Sequence, residues 1–183
     1  MRELYIGIDS GTQSTKALVV NAKNGKVLGS GQRGYGLIKG LSPGAKEQHP
    51  ETWKKATAAA IKAALKEAKA SAAEVKGIGV SGQQHGFVPL DKNGEVIRPA
   101  KLWCDTTTGA ECEAITKKLG GLKKTISRVG NAMLPGFTAP KILWLRNNEK
   151  RNFDRTVQVL LPKDYVRYEM TGCLLYTSPS PRD

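Results

Sequence analysis

Histidine and cysteine are scarce in this 183-residue sequence, and their spacing excludes several kinds of site. The three cysteines form neither a Cys-x-x-Cys pair nor an even set, which argues against a disulfide framework and a structural zinc site. The two histidines, His49 and His85, lie far apart in the chain, without the i, i+4 spacing of a helical metal-binding pair. We therefore expect no bound transition metal.

Long apolar runs and a leader sequence are also missing. No run of apolar residues is long enough to cross a bilayer. The N-terminus enters an alternating strand pattern, without the charged region, apolar stretch and cleavage site of a signal peptide. Hydrophobic residues make up 39% and charged residues 25%, as in an ordinary globular protein. These features predict a cytoplasmic protein with no membrane partner, forming one domain or one lobe of something larger.

Acidic side chains are outnumbered, with 16 Asp and Glu against 29 Lys and Arg and a formal net charge of +13. A basic surface attracts nucleic acid, anionic lipid or phosphorylated small molecules. The lysines are scattered, however, and most lie among alanines in one helical segment or in turns, without interleaved aromatic residues. This pattern favours a solvated basic face over a nucleic-acid-binding module, whose binding would weaken steeply with salt.

Three antiparallel strands are predicted at the start of the chain. Residues 4–8 are expected to form a buried strand, followed by strands over 16–20 and 26–30. Asn24 and Gly25 lie between the last two and are typical of a hairpin turn. The chain therefore opens with a small antiparallel sheet.

The apolar period changes at Pro50. From there to Ala68, apolar residues recur every three to four positions, which predicts an amphipathic helix with Pro50 in its first turn. Residues 77–81 are expected to form a fully buried strand, parallel to one of the first three because the helix serves as a crossover. Further helices are predicted at about 109–119, 139–147 and 164–170, and a strand at 157–161. The sequence thus predicts an α/β domain, a mixed sheet flanked by helices.

The segment 9–16, Asp-Ser-Gly-Thr-Gln-Ser-Thr-Lys, lies between two predicted strands and is a candidate phosphate-binding turn. Small residues in a tight turn let backbone N–H groups converge on a phosphate, and Asp9 could hold Mg²⁺ through water. An ordinary hairpin turn with a solvent-facing lysine is equally compatible with this motif alone. The segment is not a Walker A loop, and the glycines at 29, 31 and 34 match the Rossmann fingerprint without the helix it requires. The candidate phosphate-binding residues are Gly11, Thr12, Gln13, Ser14 and Lys16.

A second candidate site follows the predicted strand at 77–81. Ligands in open α/β sheets collect at the carboxyl ends of strands, and the next residues include Gln84 and His85, whose side chains can hydrogen-bond sugar hydroxyls. Further along, Trp103 could present an apolar face to a sugar ring, and Asp105 could accept a hydrogen bond from a hydroxyl. Taken singly, a histidine in a loop and a tryptophan of this kind are more often structural.

Several motifs, taken together and in order, resemble the FGGY family of carbohydrate kinases, which have a ribonuclease-H-like fold of the actin/hexokinase type. The segment 9–16 resembles the first phosphate motif of that family. The motifs at 81–86, 102–105, 134–141 and 160–165 resemble most closely those of its xylulokinase members. The similarity covers residues 3–172.

The resemblance implies a phosphotransferase that uses ATP and Mg²⁺, with D-xylulose as the sugar and D-xylulose 5-phosphate as the product. It implies that segment 9–16 binds the ATP phosphates, that Asp9 assists the metal or the reaction, and that Gln84, His85 and Trp103 lie at the sugar. Glycerol kinases have Arg-Glu in place of Gln84 and His85, and Tyr in place of Gly136. These two differences disfavour glycerol as the substrate. Ribulokinase is a neighbour that the motifs exclude less firmly.

The resemblance also implies that the general base and most of the adenine pocket lie in a second domain. We therefore expect residues 1–172 to be the N-terminal domain of a larger parent, and this chain alone to be inactive. Residues 173–183 do not continue the pattern and are expected to be an artefactual or frameshifted tail. The alternative is a non-catalytic fragment that binds sugar or phosphate.

Overall fold

The computed structural model describes residues 2–174, which divide into two compact units. The first unit contains residues 2–33, 53–82 and 163–174. The second unit contains residues 34–52 and 83–162. The predicted tail from residue 173 falls almost wholly outside the described residues, and its boundary stays a prediction.

Eight strands and six α-helices make up the described chain. In chain order they are β1 (Leu4–Ser10), β2 (Ser14–Asn21), β3 (Val27–Gly34), β4 (Glu47–Gln48), α1 (Pro50–Glu67), β5 (Val75–Gly82), β6 (Val88–Leu90), β7 (Ala100–Lys101), α2 (Gly109–Lys118), α3 (Leu122–Val129), α4 (Thr138–Asn148), α5 (Lys150–Arg155), β8 (Gln158–Leu160) and α6 (Pro162–Thr171). A short 3₁₀ turn, Ala72–Glu74, leads from α1 into β5. Within the described residues, no helix is long and apolar enough to span a membrane.

The first unit is built on a four-stranded sheet of order β3-β2-β1-β5. β1 pairs with β2 antiparallel, from Leu4 opposite Asn21 to Ser10 opposite Thr15. β1 pairs with β5 in parallel, as the intervening helix α1 requires. The predicted opening strands, the crossover helix and the parallel fifth strand are therefore confirmed, and the sheet is mixed.

Among the described residues, the hydrophobic core packs against one face of this sheet. Leu4, Ile6 and Ile8 are buried in a core that they share with the alanine face of α1, whereas Tyr5 on the opposite face is exposed. The prediction that the strand at 77–81 is fully buried is wrong. Ile78 in the middle of β5 is 44% exposed. It lies on the α1 face with its register partner Ile6, but β5 is the edge strand of the sheet and Ile78 lies outside the core cluster. Because α1 packs on one face, β1 alternates between buried and exposed residues, and β2 does so over most of its length.

Two glycines of β3 allow α1 to lie close to the sheet. A Cβ at Gly29 or Gly31 would collide with the helix backbone, at Ala64 for the first and at Ala60 for the second. The helix meets them with alanines, which recur every four residues along its buried face. Two of the three glycines in the formal Gly-x-Gly-x-x-Gly match, Gly29 and Gly31, therefore serve the packing of strand against helix.

Helix α6 joins the first unit through aromatic and charged contacts with α1. Trp53 is fully buried and meets Tyr165 edge to face, with ring centroids 6.4 Å apart. Lys54 lies 2.7 Å from the carboxylate of Glu169. These contacts attach the end of the described chain to the sheet unit.

The second unit contains two two-stranded sheets, β4-β7 and β6-β8, and the helices α2 to α5. The predicted strand at 157–161 is confirmed as β8, but it pairs antiparallel with β6 and does not extend the main sheet. The helices at 109–119, 139–147 and 164–170 are confirmed within a few residues. Helices α3 and α5 and strand β4 were not predicted.

Candidate functional site

The candidate phosphate turn is the tight connection between β1 and β2. Ser10 and Thr15 form the last register pair, and the Gly11 N–H donates to the carbonyl oxygen of Ser14 at 3.0 Å. The Ser14 hydroxyl accepts a hydrogen bond from Gln32 on β3 at 3.0 Å. Gln13 is exposed at the tip, beside the half-buried Thr12. The five predicted phosphate-binding residues thus lie together at one end of the sheet.

A polar row crosses three strands next to this turn. Asp9 on β1 lies opposite Lys16 on β2 and Ser81 on β5, and all three side chains lie on the face opposite the core. A carboxylate, an ammonium and a hydroxyl therefore stand side by side across the sheet. Sequence reasoning identified the first two. It missed Ser81, although the parallel register with β1 would have placed it in this row.

An open concavity of about 580 Å³ extends from the polar row along the same face. The register row two residues earlier contains Leu18, Gly7 and Gly79. Neither glycine has a neighbouring atom within 4 Å of the position that a Cβ would take, so the floor of the concavity is bare backbone. The concavity is lined by Gly7, Ile8, Asp9, Lys16, Leu18, Gly79, Val80 and Ser81.

The predicted sugar-binding residues lie in the second unit, directly after β5. Gln84 and His85 are both exposed, whereas Gln83 is buried and donates to the side-chain oxygen of Gln48 at 3.3 Å. His85 adopts a left-handed backbone conformation, with φ of +57°. Its ring centroid lies 5.0 Å from that of Phe137. The backbone therefore turns sharply at the histidine and leaves its ring against an aromatic side chain.

Trp103 lies at the same loop cluster. Its side chain is 51% exposed, which contradicts the alternative of a core tryptophan. A Cβ at Gly136 would lie 2.8 Å from the backbone oxygen of Trp103. Gly136, where glycerol kinases are expected to have Tyr, therefore has no room for a side chain unless the backbone at Trp103 shifts.

Asp105 is fully buried and braces a loop. Its carboxylate accepts hydrogen bonds from the Lys46 N–H at 2.9 Å, from the Thr107 N–H at 3.0 Å and from the Thr107 hydroxyl at 2.6 Å. The Lys101 ammonium lies 3.1 Å away. Burial opposes ionisation most strongly, but these hydrogen bonds and the nearby ammonium outweigh it and leave the pKa of Asp105 below its ordinary value. Direct contact of Asp105 with a sugar stays a prediction.

Lys101 and Lys141 are both buried, so these two lysines do not belong to the predicted solvated basic face. Lys101 lies between Asp105 and Glu47, with its ammonium 4.1 Å from the ring centroid of Trp144. Within the part of the chain that the structure describes, Lys141 has no carboxylate contact of this kind, and it donates to backbone carbonyls. Burial lowers the pKa of Lys141 to about 8, and the charge of Asp105 opposes this shift.

The polar row suits a phosphate with Mg²⁺ better than a protein-only metal site. Among residues 2–174, no group of three His, Cys, Asp or Glu side chains is placed to hold a metal. Mg²⁺, however, is commonly held by one or two carboxylates together with substrate phosphates and water. The polar row offers one such carboxylate, that of Asp9. The ammonium of Lys16 lies beside it and can attract phosphate oxygens.

Known proteins match this chain over nearly its whole length. The model of the FGGY family of carbohydrate kinases, N-terminal domain, matches residues 4–180. A xylulose kinase from Haemophilus influenzae is 44% identical over 92% of this chain and 35% of its own length. The crystal structure of a xyloylose kinase from Brucella ovis superimposes with a TM-score of 0.80 at 37% identity, covering 91% of this chain and 34% of that one. That of a gluconate kinase from Lactobacillus acidophilus gives a TM-score of 0.85 at 26% identity, covering 95% of this chain and 34% of that one. The chain therefore spans about a third of the length of the relatives it matches.

Proposed function

The chain belongs to the FGGY family of carbohydrate kinases, and from this premise we propose that it is the N-terminal domain of a kinase for D-xylulose. The reaction transfers the γ-phosphoryl group of ATP to a sugar hydroxyl and yields D-xylulose 5-phosphate and ADP. The observation that carries the proposal is the polar row of Lys16, Asp9 and Ser81 beside the turn at 11–14. The relatives named xylulose kinase support the choice of sugar.

In phosphoryl transfer the protein mainly positions the reactants and neutralises charge. Lys16 contributes a compact positive charge for the phosphate oxygens, and the turn at 11–14 offers a surface with little side-chain obstruction. Asp9 would hold Mg²⁺ through its water ligands. The bound ion would neutralise the charge that develops on the transferring phosphoryl group.

The sugar is bound in this proposal by Gln84 and His85, whose side chains are exposed at the end of β5. The half-exposed indole of Trp103 packs against the carbon face of the sugar, and Asp105 holds the loop that carries it. We further propose that the 183 residues alone bind ligands without turnover, because the resemblance places the general base in a second domain. It also places the enzyme in the cytoplasm, where ATP is supplied, with no nucleic acid or membrane as partner.

The test is an assay of ADP release by the protein that the complete gene encodes. D-xylulose, D-ribulose, D-gluconate and glycerol are compared as phosphoryl acceptors, with D-gluconate included because of the gluconate kinase similarity. We expect D-xylulose to be preferred, and Asp9→Asn to lower kcat by about 10²–10³-fold, as for the loss of one electrostatic contact. A strong preference for another sugar would overturn the substrate assignment, and no ADP release with any of them would overturn the activity.

A further inference from the structure

Four backbone carbonyls converge on the ammonium of Lys141 in the second unit. Lys141 lies in α4 and is fully buried. An ammonium has three N–H donors, so the four oxygens share them in one compact cage. Its Nζ lies 3.3 Å from the oxygen of His85, 2.9 Å from that of Pro135, 2.5 Å from that of Gly136 and 3.0 Å from that of Phe137.

The cage includes the strained peptide of His85. A left-handed conformation is unfavourable for a residue with a Cβ and persists only where surrounding contacts enforce it. The His85 carbonyl accepts from Lys141 and also from the Thr138 hydroxyl, at 3.2 Å. Phe137, whose own carbonyl is in the cage, packs against the His85 ring. The backbone carbonyl and the ring of His85 therefore both contact the segment 135–141 that Lys141 ties together.

A positive charge is needed at the centre of this cage. Carbonyl oxygens that point at one place repel each other, and a buried carbonyl without a partner costs about 1–3 kcal/mol. An apolar side chain of the same length would fill the space but remove the ammonium donor from all four oxygens. The His85 oxygen would keep the Thr138 hydroxyl and the Pro135 oxygen would keep the Thr108 hydroxyl. The same cage holds Gly136, which packs against the backbone of Trp103. Lys141 is thus connected to two of the predicted sugar contacts.

We propose that Lys141 is a positioning residue for sugar recognition, which holds His85 in its strained conformation and keeps the 135–137 loop against Trp103. Lys141 itself does not touch the sugar. The geometry stands by itself, and only the identity of the ligand rests on the proposed function.

Histidine NMR gives a direct readout, because the chain has two histidines and only His85 contacts the cage. The ring signals are recorded for the full chain, for Lys141→Met and for Lys118→Met, which removes an exposed lysine at the end of α2. We expect Lys141→Met to shift the His85 signals and leave those of His49 in place, while Lys118→Met moves neither. Coincident His85 signals in Lys141→Met and the unmodified chain would overturn the proposal.

Two further measurements decide the matter if Lys141→Met does not fold. Thr138→Val removes the other side-chain donor to the His85 carbonyl and should shift the same signals, by less. In the unmodified chain, raising the pH through about 8 should deprotonate Lys141 and shift the His85 signals with that midpoint. The other titratable or charged groups that act on Lys141 are Asp105, Lys101, Cys112 and Cys104. His85 signals unmoved by Thr138→Val and by this pH change would also overturn the proposal.

Sugar titration then connects the cage to binding. D-xylulose should shift the His85 signals of the unmodified chain, and Lys141→Met should raise the apparent Kd about tenfold. An unchanged Kd would overturn the role of Lys141 in recognition. If D-xylulose leaves the unmodified chain's spectrum unchanged, the proposed substrate fails, whereas the ligand-free comparison still tests the positioning of His85.

Discussion

Replacing Gly31 by alanine tests the close packing of α1 on β3. A methyl group there would collide with the carbonyl oxygen of Ala60 and lie 2.8 Å from the amide nitrogen of Ala64. Both obstructing atoms are helix backbone, so no side-chain rotation relieves the collision. Overpacking costs about 1–3 kcal/mol, and alanine returns about 0.4–1 kcal/mol by restricting the unfolded chain. With rigid obstructing atoms the cost lies high in its range, so we expect a net loss of about 2 kcal/mol.

The matched control is Gly79→Ala, also in a strand of this sheet. Its Cβ would meet nothing within 4 Å, and its φ, like that of Gly31, lies outside the left-handed region. Each kcal/mol shifts the Tm of a chain of this size by about 2–4 °C. Thermal unfolding followed by circular dichroism should therefore show a fall of about 4–8 °C for Gly31→Ala, and no fall for Gly79→Ala. Equal shifts for the two variants would refute the argument that backbone proximity, and not loss of glycine as such, sets the cost.

Three other perturbations follow from charges and thiols. Lys101→Met leaves the buried carboxylate of Asp105 without its ammonium and should cost about 3–5 kcal/mol in urea unfolding; a loss below about 1 kcal/mol would contradict the importance of the pair. The hydrogen bond from Arg2 lowers the pKa of Glu74 to about 2, so this pair stabilises the fold above pH 4.5 and the contribution is lost as the pH falls towards 2. Arg2→Ala should therefore reduce the loss of Tm over this acid range, and an unchanged acid profile would count against the linkage. Iodoacetamide at pH 8 should alkylate the exposed Cys173 first, because burial raises the pKa of the other two thiols; equal rates by mass spectrometry would contradict their burial.

The opening of the fold was predictable because its signals are local. The hairpin turn at Asn24 and Gly25, the four-residue alanine spacing of α1 and the short strand after it each appear within a few residues of sequence. The handedness and direction of the crossover then follow from general rules of chain connection. The short strands β4 and β7 lack such signals, because two residues contain no period and are defined only by their partner.

The candidate site divides in the same way. Asp9, Lys16 and His85 were identified from residue type and from their place at strand ends. Their neighbours were not, because Ser81 joins the polar row only through the parallel register, and Lys141 is ordinary in sequence until its four carbonyl partners are known. Asp105 was identified for its chemistry, yet its oxygens accept hydrogen bonds from protein groups.

The sequence by itself determined the fold class, the order of the main elements and the family, since each depends on local periodicity or on motifs read in order. Only the tertiary structure decided which face of the sheet is covered, why β3 needs Gly29 and Gly31, and which two lysines are buried. These properties depend on atoms brought together from distant parts of the chain, and a residue's own side chain does not specify them. Burial of Lys101 and Lys141 is the clearest case, because a lysine is buried only where the fold supplies its hydrogen-bond acceptors.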